Sequence, residues 1–198
     1  MTRSRSLILG WLALTILLVL PSLACGPCCG PCAGLFPAAP TSPCGTIPVS
    51  REAAMRLESK ARTMGTPNFQ LTVTDEELTS WVALALPDFQ AQNPDLPRIP
   101  VTAPQVCFAN GKVYVTGRLT DPVEASFMVV VSVQVVGEQV RLTMESGQLG
   151  PVPMPSDILN SLGQSAQDTI NDPAFGIRFT RVQVLERMVM VEGYFTQQ

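Results

Sequence analysis

The stretch from Val123 to Val136 most narrowly limits what this chain can become. Phe127, Val129, Val131, Val133 and Val135 recur at every second position, a spacing that puts them on one face of an extended strand. Valine is stiff at χ1 and favours a pleated surface over a helix. After Gly137-Glu138 the alternation resumes at Val140, Leu142 and Met144, so the two runs read as an antiparallel hairpin. The other face carries Met128, Val130 and Val136, interrupted by Ser132 and Gln134. An antiparallel sheet usually presents one polar face to water. With apolar residues on both, the second patch must meet a helix, another subunit or an apolar ligand. Ordinary core packing and a lipid-accepting groove are the two readings, and Phe127, Val129, Val131, Val133, Val140, Leu142 and Met144 are the candidate ligand-binding residues. The alternative opening lies on the opposite face, through Met128 and Val130.

The surrounding sequence supplies more of the same architecture. Val106 and Phe108, then Asn110-Gly111, then Val113 and Val115 form a second hairpin, because that dipeptide tolerates positive φ in a tight turn. The chain closes with two further strands, Gly176 to Leu185 and Met188 to Phe195, joined at Glu186-Arg187. Three helices are expected. Ser50 caps the first, with Ala54, Leu57, Ala61 and Met64 on one stripe. Thr74 and Glu77 form a capping-box signature ahead of Leu78, Trp81, Val82 and Ala85, and that helix should end before Pro87. Ser156 caps the third, with Ile158, Leu159, Leu162, Ala166 and Ile170 on one side. A long proline-rich loop is expected from Pro87 to Pro104. The fold class is therefore α+β, a curved antiparallel sheet packed on two to three helices.

The N-terminus fixes an address. Arg3 and Arg5 precede an apolar run from Leu7 to Leu20, closing in Pro21-Ser22-Leu23-Ala24-Cys25, the layout of a bacterial export signal. The run is shorter than the roughly 20 residues that span a bilayer. Small residues at Ser22 and Ala24 suit cleavage before Cys25, and the segment resembles a lipobox, in which that cysteine receives a diacylglycerol. Lipid attachment at Cys25, plain secretion and an uncleaved anchor are the three readings; all take the protein out of the cytoplasm, and lipid attachment or an uncleaved anchor holds it at the extracytoplasmic face of the cell membrane. Residues 1–24 are thus signal or anchor, 25–48 a Cys/Pro/Gly-rich tether, and 49–198 the domain. The tether's Cys25-Gly-Pro-Cys28-Cys29-Gly-Pro-Cys32 offers neither the helix start that a redox pair needs nor the loop between pairs that zinc needs. Its thiols are expected to be lipidated or paired among themselves, with Cys44 among them, while Cys107 is expected to be a buried free thiol.

Charge and composition narrow function mainly by exclusion. Of 13 basic and 16 acidic residues, both Arg3 and Arg5 precede the domain, so no basic surface for nucleic acid is indicated. The chain has no histidine, which removes the usual base for a serine or cysteine nucleophile and the commonest zinc ligand. Asp75, Glu76 and Glu77 crowd one helix start, where the helix dipole accounts for them. Gly163-Gln-Ser165 lacks the closing glycine of a nucleophile elbow. No catalytic residue, metal site or cofactor is expected.

The order of elements adds a resemblance. A membrane tether, the Thr74-Asp-Glu-Glu77-Leu78 helix start, a valine-rich hairpin, a proline-flanked amphipathic helix and a final strand pair resemble the bacterial exported lipid-binding families of the LmeA-like and YpmS-like type, across roughly Val49 to Phe195. Thr74, Glu77 and Leu78 map onto the helix start of those families. The resemblance implies a sheet wrapped on a long helix to make an apolar tubular groove, similar to half of a bactericidal/permeability-increasing-type module. It implies binding of a phospholipid or acyl chain without catalysis. The alternative is a structural or interaction module of the cell envelope whose apolar sheet face packs on a protein partner.

Overall fold

The computed structural model of the chain describes residues 41–64, 67–92, 101–121 and 124–196. The expected export signal, Cys25 and the cysteines up to Cys32 lie outside the described residues. Within them the protein is α+β, with three helices and two antiparallel sheets.

Helix α1 (Arg51–Arg62) starts as the sequence requires. The Ser50 hydroxyl accepts the Ala53 N–H at 3.1 Å, and Ala54, Leu57 and Ala61 are buried along one stripe. Strand β1 (Asn68–Thr74) runs into α2 (Asp75–Gln92) through a complete capping box. Thr74 Oγ1 accepts the Glu77 N–H at 3.2 Å, and Glu77 Oε2 accepts the Thr74 N–H at 3.0 Å. The helix does not stop before Pro87 but continues to Gln92. Pro87 is exposed, so water can serve the carbonyl whose partner the proline ring removes. Strand β2 (Val101–Ala109) absorbs the other end of the expected loop. Pro104 sits at a register irregularity between Thr102 and Gln105, beside Ala103 at φ +47°, the kind of position at which an edge strand accommodates proline.

Strands β3 (Lys112–Leu119), β4 (Ala125–Val136), β5 (Gln139–Leu149) and β6 (Val152–Pro153) complete a five-stranded sheet in the order β2-β3-β4-β5-β6. Both expected tight turns form with positive φ at each central residue, Asn110-Gly111 and Gly137-Glu138. Helix α3 (Ser156–Ile170) follows. Its N-cap is Pro155 rather than Ser156, and no side chain caps it. Strands β7 (Ile177–Leu185) and β8 (Met188–Phe195) then join β1 in a second sheet, ordered β1-β8-β7. The strands thus divide between two sheets, because β8 pairs with the first strand of the domain and not with the valine-rich hairpin.

Three apolar clusters hold the layers. Phe127, Val129 and Val131 of β4 pack with Val115, Leu119, Met154 and the α3 residues Leu159 and Leu162. Ala54, Leu57, Val73, Trp81 and Val82 join α1 and α2 to the smaller sheet. Phe69, Phe179, Ile170 and Val140 bridge the two sheets beneath the end of α3.

On the opposite face of the larger sheet, Cys107, Tyr114 and Val130 stand in one row across β2, β3 and β4. Cys107 is not a free thiol there, nor does Cys44 pair with the tether cysteines. The two form a disulfide with a Cα–Cα distance of 5.9 Å. The segment before α1 lies against β2, where Ile47, 1% exposed, packs with Cys107 and Ala109. Residues 44–47, expected to be spacer, therefore pack against β2 as part of the domain.

Candidate functional site

A sheet edge carries peptide groups that need partners, and both edges of the larger sheet are partly closed by side-chain and backbone groups from neighbouring elements. At β2, the fully buried Thr79 hydroxyl of α2 accepts the Val106 N–H at 2.8 Å and donates to the Val106 carbonyl at 3.1 Å. One step along, the Arg187 N–H donates to the Phe108 carbonyl at 2.8 Å. At β5 the hairpin register sets which groups face outward. Val136 and Gln139 close a two-residue turn, so the alternating pattern points the peptide groups of Val140, Leu142 and Met144 away from β4. Asn171, just beyond α3, stands in for a strand at the first of these. Its Oδ1 accepts the Val140 N–H at 2.8 Å and its Nδ2 donates to the Val140 carbonyl at 2.7 Å. Gln167 Oε1 accepts the Leu142 N–H at 3.3 Å. Past the irregularity opposite Val130 and Val131, the Met154 N–H donates to the Gly147 carbonyl at 2.8 Å, and β6 pairs with Gln148 and Leu149.

Between these caps a gap remains. Among the described residues, no hydrogen bond reaches the outward carbonyl of Leu142 or the outward N–H and carbonyl of Met144. A cleft of about 560 Å³ opens at this gap, between β5 and α3. Val140, Leu142, Met144 and Leu159 form its floor, Val140 and Leu159 almost wholly buried, and the surface facing the cleft is mostly polar, with Arg141, Gln164 and Asp168 among the residues at its rim. Gly163 brings the helix close, since a Cβ there would lie 3.2 Å from Met144 Cγ. The size falls within the usual range for small-molecule sites, and the lining suits an amphipathic ligand.

The seven candidate ligand residues thus separate. Val140, Leu142 and Met144 line the cleft. Phe127, Val129 and Val131, 2%, 8% and 6% exposed, lie in the core beneath α3, and Val133 packs against that core half-buried. Asn171 carries no sequence signal of this role, and the Gly163–Gln167 segment is singled out by sequence only as a rejected nucleophile elbow. An amide one residue beyond a helix carries no local signal that it will cap a strand.

The carboxylates at the start of α2 form a second polar cluster. Glu77, buried, lies 2.7 Å from Lys60 Nζ and 3.6 Å from Arg56 Nε. Burial works to raise its pKa, but the hydrogen bonds from Lys60 and the Thr74 N–H and the charges of Lys60 and Arg56 outweigh it and hold the group below its ordinary value. Asp75 behaves oppositely. Burial pushes its pKa up, and Arg187 opposes this only in part. Arg187 Nε is 2.7 Å from Asp75 Oδ2 but poorly aligned for a hydrogen bond, so the contact is chiefly electrostatic. These groups brace α1, α2 and the β7–β8 turn together. Among the described residues, no three side chains of metal-ligating type converge.

In comparisons with known proteins, no family model and no curated sequence matches the chain.

Proposed function

We propose that this protein is a non-catalytic, membrane-tethered binding module of the cell envelope, holding a phospholipid or other acyl ligand in the cleft between β5 and α3. The observation that carries this reading is the cleft's mixed lining, in which the partly buried Leu142 and Met144 lie below a polar rim that includes Arg141, Gln164 and Asp168. An acyl chain can lie on the floor while its polar end stays at the wet rim. The Cys44–Cys107 disulfide supports an oxidising compartment outside the cytoplasm, in keeping with an export signal and attachment at Cys25.

Organic extraction of the full-length protein, followed by lipid mass spectrometry, tests the reading. Stoichiometric lipid is expected. Gln164→Trp, which places an indole at the exposed rim, should lower the lipid content while leaving the thermal midpoint unchanged. Protein that carries no lipid and takes up none from vesicles would overturn the proposal. The alternative of a protein-binding face draws on Val136 and Val152, 55% and 60% exposed at opposite ends of β5, and predicts a lipid-free protein.

A further inference from the structure

The gap in the β5 edge bears on which acyl compound the cleft takes. Its floor presents one peptide N–H, from Met144, and two carbonyls, from Leu142 and Met144, that no described residue engages. A chain lying on these groups displaces water from them, and each one left without a partner weakens binding. An ester or a free fatty acid offers acceptors at its linkage but no N–H. Such a ligand can meet the Met144 N–H and leaves the two carbonyls unmatched.

The same edge shows what does match it. One step away, Asn171 offers Val140 one acceptor and one donor, at 2.8 and 2.7 Å, and satisfies both of its outward groups. An amino acid in extended conformation offers the same pair: its N–H can donate to the Met144 carbonyl while its own carbonyl accepts the Met144 N–H.

We infer that the ligand is an acyl chain joined through an amide to an amino acid or peptide. This rests on the acyl-cleft reading above and narrows it. The first amino acid pairs with Met144 as an added strand residue would. The acyl chain runs over Leu142 toward Leu159, and the remainder of the ligand leaves by the rim at Arg141 and Gln164. Recognition is therefore by backbone groups, and it selects the linkage rather than a particular side chain.

The test compares N-myristoyl-glycinamide with its depsi analogue, in which an ester oxygen replaces the N–H, and with myristate. Binding is measured by isothermal titration on full-length protein in phosphatidylcholine nanodiscs. The amide should bind about tenfold more tightly than the depsi analogue, as one lost hydrogen bond implies. Met144→Pro removes the outward N–H without removing a bond to β4, because position 144 faces away from that strand. It should weaken the amide about tenfold relative to Met144→Ala, which keeps the N–H. If Met144→Pro does not fold, the amide and depsi comparison on the unmodified protein decides alone. Equal affinity for amide and depsi analogue overturns the inference and leaves the acyl-cleft reading standing. No binding of any of the three probes overturns both.

Discussion

Removing the Cys44–Cys107 disulfide should be among the most costly changes this domain can sustain. The bond closes a loop of sequence separation 63, and the chain-entropy relation for a loop of that length gives about 4 kcal/mol of stabilisation. Cys44→Ala combined with Cys107→Ala removes the link without leaving a thiol to exchange. Contacts that anchor the same segment survive: Ile47 stays in its pocket, Gln105 Nε2 still reaches the Ile47 carbonyl at 3.4 Å, and the Ser50 N–H still meets Ser80 Oγ at 3.0 Å. The native fold should therefore persist and the loss should arise mainly from a freer denatured chain. For a domain of this size, that corresponds to a fall in thermal midpoint of roughly 8–16 °C. Urea unfolding of the oxidised protein, the reduced and alkylated protein and the double variant measures the difference, with thiol titration in denaturant confirming the redox state. A loss under about 1 kcal/mol with the bond shown to be cleaved would refute the loop argument. A reactive thiol at Cys107 in the native oxidised protein would refute the pairing itself.

Other perturbations probe the polar groups and the close approaches. Glu77 is held below its ordinary value of 4.5, so its contribution is present above that pH and lost as pH falls through its folded value; Glu77→Gln should cost about 1.5–3 kcal/mol at pH 7 and flatten the acid limb of a stability profile. Asp75, raised from 3.8 by burial, has the opposite sign, its contribution being present below 3.8 and lost as pH rises through its folded value. Asp75→Asn should therefore cost under about 1 kcal/mol at pH 7, and a loss equal to that of Glu77→Gln would contradict the assignment. Asn171→Ala uncaps Val140 and should cost about 1–3 kcal/mol in urea unfolding. Asn171→Asp should do no better, since it sets a carboxylate oxygen against the Val140 carbonyl. Gly193→Ala would drive a Cβ into the Arg178 carbonyl oxygen and place it 2.8 Å from the Phe69 ring, so it should destabilise by about 3 kcal/mol or more, and a wild-type thermal midpoint would show that the β7–β8 contact is looser than described.

What the sequence disclosed and what it withheld follow the range of the interactions involved. The hairpins at Asn110-Gly111 and Gly137-Glu138 and the capping box of Thr74 and Glu77 are local, written within a few adjacent residues, and they were legible. Pairings between distant segments were not. Clustered cysteines at the N-terminus drew attention from Cys44, whose partner lies 63 positions away in a strand where an isolated cysteine reads as an ordinary apolar residue. Proline misled in both directions, since Pro87 is tolerated on the wet side of α2 and Pro104 at a strand irregularity. The alternation of the valine-rich hairpin correctly grouped the candidate ligand residues on one face. It could not show that α3 would cover Phe127, Val129 and Val131 while leaving the β5 edge open beside Leu142 and Met144, because that division depends on where the helix lies across the sheet.

The pairing of β1 with β8 also sets an order of events. Gln70 meets Glu192 across 122 residues, whereas β2 with β3 and β4 with β5 are joined by two-residue turns. Short loops close quickly, and contacts between remote segments wait for the chain entropy they cost to be offset by structure already formed. The smaller sheet should thus assemble last, around a β2–β5 meander that is already in place. Until β8 is available, the apolar face of β1, with Phe69, Leu71 and Val73, has no strand partner beside it. This is the interval in which the domain is most vulnerable to aggregation, and changes in the Phe69–Phe179 cluster should speed unfolding more than they slow folding.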